Sequence, residues 1–406
     1  MPKIFSIFAL KYKTQMKIIL FDDKSWGTLR PLTLTRPVSE LRVGILTIRE
    51  KWEKRLGNKV AFLTKDYLQE KYPLSVEDDN LLINASVCPN QQLLGEIEGL
   101  QPGEMLLQGD CVIASRVDKQ GVAAFDPAVL PNLVRKEFTG DFVRVVYPYH
   151  VFSLNGQELE VDFKLLTEGR KSAPLDSHVR VYGKYPVFVE EGAVVRAAVI
   201  NTEGGPVYIG KDAEIMEGVL VRGPLAMCEH SVLTMGAKVY GATTLGPYCK
   251  CGGEVNNVVM IAYSNKAHDG FLGNSVLGEW CNIGAGTNNS NLKNTYVEVK
   301  LWDYDTRHFR KTGLQFCGLI LGDHAKLGIS TMINTGTVIG VGANVFGAEF
   351  PRNFIPSFAW GGACGFTEHK MPQFIATAEA VMKRRNKVFD DVDRRIIEHV
   401  FADPER

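Results

Sequence analysis

From Ile209 the chain reads in sixes. Ile209, Ile215, Val221, Met227, Leu233, Val239, Leu245 and Cys251 are apolar leaders. The fifth member of each hexad (Ala213, Val219, Leu225, Ser231, Ala237, Thr243, Cys249, Val255) is mostly small or β-branched. Val189 and Val195 lead two earlier hexads, and the period returns at Phe271, Leu277 and Ile283, then at Leu321, Leu327, Ile333, Ile339 and Val345. A fifth member and the next leader lie two residues apart, so on a strand they point to one side. Two inward residues and a corner per hexad make one flat face of a coil. A period held over eight consecutive hexads predicts a parallel β-helix. Glycine often follows the leader, as at Gly210, Gly246, Gly284, Gly328 and Gly340, near the corner. The frame breaks at about 257–270 and 287–320, and these stretches are expected to be loops that leave the scaffold, where function concentrates.

Different patterns flank the repeat. Met16–Phe21 (MKIILF) predicts a buried strand, followed by the loop DDKSWGTLRPLTLTRP. Val60–Thr64 and Leu81–Asn84 predict two more strands, with a helix around Leu46–Leu56 ahead of them, an alternation that predicts an α/β layer domain. Residues 104–165 read as hairpins and a helix, with a polar joint near Thr167–Ser177. After Pro372, the apolar positions Phe374, Ala378, Val381, Phe389, Val392, Ile396 and Val400 step by three, four or a multiple, which predicts an amphipathic C-terminal helix with one break. Its basic run Lys383–Lys387 reads as a solvated face, with anion binding the minority reading.

Composition narrows the function classes. The 46 Lys+Arg balance 46 Asp+Glu over 406 residues, and a neutral chain argues against a nucleic-acid protein. No apolar run approaches the roughly 18–20 residues of a membrane span. The opening MPKIFSIFALKYKTQ has an apolar stretch between lysines but no small-residue cleavage site, so it reads as a disordered extension over 1–15. A cytoplasmic location and reduced thiols are the expectation. The eight cysteines form no CxxC pair, and Cys249, Cys251 and Cys281 hold inward positions, so Cys-x-Cys reads as coil core and no metal site is expected.

Candidate chemistry gathers where the coil restarts. His268 lies in NKAHDGFLG, with Glu254 before it and Asn282 and Asn291 after it. A lone loop histidine is more often exposed and inactive. Coils stack at about 4.8 Å, however, so residues a turn apart can meet on one ledge. An imidazole titrating near neutral pH suits removal of a proton from an amine that attacks an acyl group.

The stretch SNKAHDGFLGNSVLGEWCNIGAGTNNSN resembles, without gaps, the acetyltransferase half of the GlmU family, whose members form UDP-N-acetylglucosamine from glucosamine-1-phosphate. The resemblance covers roughly 185–350 and implies a left-handed β-helix. It places a general base on His268, a sugar-binding position on Phe271, asparagines on Asn282 and Asn291, and a glutamate on Glu254. Asn256 falls where the family has a sugar-contacting lysine, and Phe271 where it has a tyrosine. Over its whole length the chain is similar to the alternative bacterial GlmU-type proteins. These are described as UDP-N-acetylglucosamine diphosphorylase/glucosamine-1-phosphate N-acetyltransferase. Trimers with CoA between adjacent coils are implied, and Lys293, Lys300, Arg307, Arg310 and Lys311 of the second break are candidates to wall that cleft.

WGTLRPLTLTRPVSELRVG resembles the opening of sugar nucleotidyltransferases, in which a Gly-rich loop, an Arg and a Lys hold nucleotide phosphates. Here the loop is DDKSWGT with Gly27 alone, Arg30 and Arg36 are the arginines, and Val38 stands at the lysine position. The family's magnesium-binding aspartate has no counterpart in Asn84-Ala85-Ser86-Val87, and Asp110 reads as a hairpin turn. The expected organisation is a truncated nucleotidyltransferase-like α/β domain over 16–178, a β-helix acyltransferase domain over 179–365 and a helical tail over 366–406. The leading expectation is an acetyl-CoA-dependent N-acetyltransferase acting on an amino-sugar phosphate or nucleotide sugar. The alternatives are a sugar-1-phosphate nucleotidyltransferase, which would require Mg2+, and a non-catalytic sugar-nucleotide-binding scaffold.

Overall fold

The computed structural model describes residues 16–126, 129 and 132–404. The expected 1–15 extension lies outside them. By its contacts the chain divides into two compact units. The first comprises residues up to Leu29, Arg36–Leu41 and Leu46–Val146; the second comprises Arg30–Thr35, Arg42–Ile45 and everything from Tyr147.

In the first unit, strands β1 (Met16–Phe21), β2 (Val60–Leu63), β3 (Asp79–Asn84), β4 (Glu104–Gln108), β5 (Cys111–Val117) and β6 (Val134–Glu137) form one sheet in the order β2-β1-β3-β5-β4-β6. β1 runs parallel to both its neighbours, and β5 is antiparallel to the strands beside it. Ile18–Phe21 are all buried, as a central strand covered on both faces requires. The helix Ile48–Leu56 starts at a capping box, with Thr47 and Glu50 satisfying each other's N–H groups, and ends at Gly57 with φ +72°.

The second unit is built on the predicted parallel β-helix. Ile209, Met227 and Leu245 are successive register partners, as are Ile215, Leu233 and Cys251, so each coil there takes 18 residues, three hexads. These leaders line one continuous core with Val221, Val239, Leu277, Leu321, Ile339 and Val345. Cys249, Cys251 and Cys281 lie in that core. The helix Asn155–Thr167 packs Leu159 and Phe163 on the outward residues Phe188, Tyr208 and Ala226. Gly44 has φ +82°, and a Cβ there would stand 2.5 Å from Asp162 Oδ2; its N–H donates to Asn155 Oδ1 at 2.7 Å. Two C-terminal helices, Met371–Lys383 and Asp391–Ala402, realise the expected break.

The first frame break is not a loop. Glu254–Ala262 is one continuous strand, and Cys251 pairs with Lys266 after 15 residues, Lys266's coil reaching Asn282–Ile283 in turn. The coil loses residues here and keeps winding, so the hexad frame slips although the scaffold persists. The second break does leave the scaffold, extending the antiparallel hairpin Lys300–Asp303 and His308–Lys311. A shortened coil and an inserted loop both interrupt a six-residue frame, and pattern alone does not tell them apart.

Candidate functional site

Coil register builds the site. Lys238, Glu254 and Phe271 are successive partners on one face, and Tyr240, Asn256 and Gly273 form the column two residues along. Glu254 and Phe271 are therefore adjacent, with Asn256 beside them. Tyr240 donates its hydroxyl to Glu254 Oε1 at 2.6 Å. Burial and this bond push the Tyr240 pKa up to about 12, so the phenol keeps its proton and the carboxylate keeps its orientation.

Gly273 lets two more predicted residues meet. A Cβ at that position would stand 2.6 Å from the Phe271 ring and 2.6 Å from Asn291 Nδ2. The same Asn291 Nδ2 donates to Asn274 Oδ1 at 2.8 Å, and the Phe271 N–H donates to Asn288 Oδ1 at 2.8 Å. Asn282 lies on the adjoining face, where its Oδ1 accepts from Asn265 Nδ2 at 2.9 Å.

His268 stands on the corner between those two faces, exposed, with Asn265 before it and Phe271 after it. The corner beneath is short. Cys251 and Val255 are four residues apart, whereas their partners Leu233 and Val239 are six apart. Thr234 Oγ1 reaches past this short corner to Ala267 O at 2.9 Å. Gly253, at φ +69°, lets the backbone of His268, Asp269 and Gly270 approach to 2.9 Å of its Cβ direction. The His268 corner thus packs closely on the short corner Gly252–Gly253, which leads directly into Glu254.

Lys266 fixes this corner from inside. It occupies an inward coil position at 1% exposure, and its Nζ donates to His268 O at 2.7 Å and Gly252 O at 3.0 Å. Burial pulls its pKa below the usual lysine range. Tyr240, Asn274 and Lys266 were not found from sequence. Tyr240 partners Asn256 after 16 residues, where the regular coil takes 18, so counting by hexads misses it; Lys266 breaks the apolar pattern and carries no motif.

The excursion's basic residues are largely committed to one another's neighbours. Arg310 Nε donates to Asp303 Oδ2 at 2.6 Å and its guanidinium lies over the Tyr147 ring. Lys311 pairs with Glu298 at 3.5 Å, and Lys293 Nζ donates to Glu298 O at 3.4 Å.

The phosphate-binding candidates of the amino-terminal segment are not arranged as a Gly-rich loop. Gly27 lies in a helical turn, Ser25–Thr28, without a positive φ. Arg30 belongs to the second unit, where it donates to Asp305 Oδ1 at 2.7 Å and lies over the Tyr304 ring. Arg36 is 3% exposed in the first unit. Asp110 is exposed in the β4–β5 turn.

Residues 18–171 match the family described as sugar nucleotidyl transferase. A bifunctional sugar-1-phosphate nucleotidylyltransferase/acetyltransferase from Sulfurisphaera tokodaii is 30% identical over 144 residues, 35% of each chain. The bifunctional protein GlmU of Methanococcus maripaludis is 26% identical over 67% of this chain and 58% of its own. That of Polaromonas naphthalenivorans is 24% identical over 76% and 57%. The chain spans between about a third and three fifths of the length of these relatives.

Proposed function

We propose that the β-helical unit transfers an acetyl group from acetyl-CoA to the amine of an amino-sugar phosphate of the glucosamine-1-phosphate type. The observation that carries this reading is the coil register, which sets the tyrosine-held carboxylate of Glu254 beside Phe271, three residues after the exposed His268 corner. His268 takes the proton as the amine nitrogen attacks the thioester carbonyl. A backbone N–H of a neighbouring coil steadies the oxyanion, and collapse of the tetrahedral intermediate expels the CoA thiolate, which is then protonated. Glu254 holds the sugar or orients the base; Asn256, Asn282 and Asn291 bind hydroxyls, and Phe271 offers an apolar face. The names carried by the relatives, which join nucleotidyl and acetyl transfer, support the same class. Homotrimeric assembly is part of this reading.

The test is thiol release from acetyl-CoA with glucosamine-1-phosphate as acceptor. His268→Ala is expected to lower kcat at least about a hundredfold, the usual contribution of a positioned general base. No release above background by the wild-type chain overturns acetyl transfer and leaves the sugar-nucleotide-binding scaffold.

The family match over 18–171 favours a second reading, sugar-1-phosphate nucleotidyl transfer. It is tested on the full chain by pyrophosphate release from UTP and N-acetylglucosamine-1-phosphate. The donor set at the ends of β1 and β3 does not suit the Mg2+ that such chemistry uses. Asp23 is paired with Arg144, and burial pushes Asp22 up to about 7. No step through that ion is derived.

A further inference from the structure

Asn291 sits where the chain leaves the solenoid. It follows the short strand Asn288–Asn289 by two residues, and the returning chain meets it through the Cys317 N–H, which donates to Asn291 O at 2.9 Å. Coil register therefore does not orient its side chain. A chain of amides does. Asn291 Nδ2 donates to Asn274 Oδ1 at 2.8 Å. With the Asn257 amide oriented as its neighbours require, Asn274 Nδ2 donates in turn to Asn257 Oδ1 at 3.0 Å. Asn257 Nδ2 then donates to Ala242 O at 3.2 Å and to Phe152 O at 3.0 Å, the latter in the helix Pro148–Ser153.

Such a chain has only one sense. An amide donates through nitrogen and accepts through oxygen, and the two backbone carbonyls at the far end only accept. They hold Asn257 with Nδ2 toward them, which presents Oδ1 to Asn274, and each link hands the same polarity to the next. Asn291 thus commits its Nδ2 to the protein, and Oδ1 is the open end of the chain, on a partly exposed residue whose amide shares the space over Gly273 with the Phe271 ring. The backbone shows that the amides are there for their side chains. Asn257 and Asn274 have φ +54° and +46°, a region where Gly253 and Gly286 serve elsewhere in these coils and where asparagine is tolerated better than most residues. Glycine would suit the same backbone and would break the chain.

We propose that Asn274 and Asn257 are positioning residues that lock Asn291 with its carbonyl oxygen toward the amino-sugar phosphate, so that Asn291 receives a hydrogen bond from a sugar hydroxyl and gives none. The identity of the sugar rests on the acetyl-transfer reading. The polarity of the chain does not, since two backbone carbonyls set it.

The full chain, with CoA saturating, is titrated with glucosamine-1-phosphate by calorimetry, which needs no turnover and so stands apart from the thiol-release assay. Asn291→Ala is expected to weaken binding roughly fivefold or more, the value of one hydrogen bond. Asn274→Gly, which keeps the left-handed backbone, is expected to weaken it at least about threefold. The double variant is expected to bind no more weakly than Asn291→Ala alone, because Asn274 acts through Asn291. Asn257→Gly, one link further back, is expected to repeat this pattern with a smaller loss, so a misfolded Asn274→Gly does not end the test. In thiol release the losses are expected in KM for the sugar phosphate, with KM for acetyl-CoA unchanged. Losses that add in the double variant overturn the proposal, as does a folded Asn274→Gly or Asn291→Ala with wild-type affinity, or a wild-type chain that binds no glucosamine-1-phosphate. Wild-type binding without thiol release sinks acetyl transfer alone, and the amide chain is then decided on the affinities.

Discussion

The Asp22 carboxyl is 6% exposed and accepts two hydrogen bonds, from Val38 N–H and Thr64 Oγ1, yet burial raises it from the ordinary 3.8 to about 7. Between those values the folded chain holds a proton that the unfolded chain has released. Its contribution to stability is therefore fully present below about pH 4 and lost as pH rises through about 7. Asp22→Asn, which keeps an acceptor for Val38, is expected to raise stability at pH 8 by up to about 4 kcal/mol and to change it little at pH 4. Urea unfolding at the two pH values measures this, and an equal effect at both removes burial of a charge as the cause. Tyr240 is a second residue whose neighbour defines it. Tyr240→Phe removes the donor to Glu254 and is expected to lower kcat/KM for acetyl transfer about tenfold, a charge-assisted hydrogen bond's worth, with the thermal midpoint unchanged. An unchanged kcat/KM would take Glu254 out of the site. Neither contact was legible in the sequence, because each joins residues whose adjacency depends on where strands and coils lie side by side.

At the scale of the element, the β-helix is where sequence and structure agree most closely. A hexad leader must face inward whatever the rest of the chain does, so Ile209 through Cys251 could be assigned from spacing. Glycines at the corners have unequal roles, however. At Gly236, with φ +70°, a Cβ would meet nothing within 4 Å, so Gly236→Ala is expected to cost only the strain of a left-handed residue, about 1 kcal/mol. At Gly252 a Cβ would stand 2.1 Å from Thr234 Oγ1 and 2.3 Å from Ala267 O. Gly252→Ala must push the short corner away from both neighbouring coils and is expected to cost about 3 kcal/mol. Thermal unfolding of the two variants side by side decides it; equal losses would show that the short corner is not packed. The five rings His230, Tyr248, Tyr263, Trp280 and His324 stack along another corner, each at a φ between 53° and 60°. No hexad rule announces them, since tolerating positive φ at five non-glycine residues relies on the coil repeat holding every corner alike.

For the molecule as a whole, the ends of the solenoid and its assembly matter most. Phe374 of the helix Met371–Lys383 sits 5.5 Å from the His324 ring and 5.3 Å from the Phe358 ring, filling the space that Gly342 leaves beside it. Phe374→Ala opens a cavity against the last coils and is expected to cost about 3–5 kcal/mol, read as a drop in the urea midpoint. A near-neutral result would show that the terminal helices do not cap the core. The proposed trimer is checked by sedimentation equilibrium, where a mass of three chains is expected and a monomer at micromolar concentration would dismiss it. The zero net charge means that long-range attraction brings no anionic substrate to either unit.

Period, turn chemistry and strand patterning are local properties. They determined the parallel coil, the α/β sheet after Met16, the inward cysteines and the paired terminal helices, because each depends on residues within a few positions of one another. Tertiary structure alone decided that the break at 257–270 is a shortened coil, that Lys266 turns inward to hold the carbonyl of His268, and that Arg144 meets Asp23 from 121 residues away. The physical reason is common to all three. Which side chains converge depends on the length of each coil and on pairings across the fold. A six-residue period states that a coil winds, but not which residues of successive windings come to lie together.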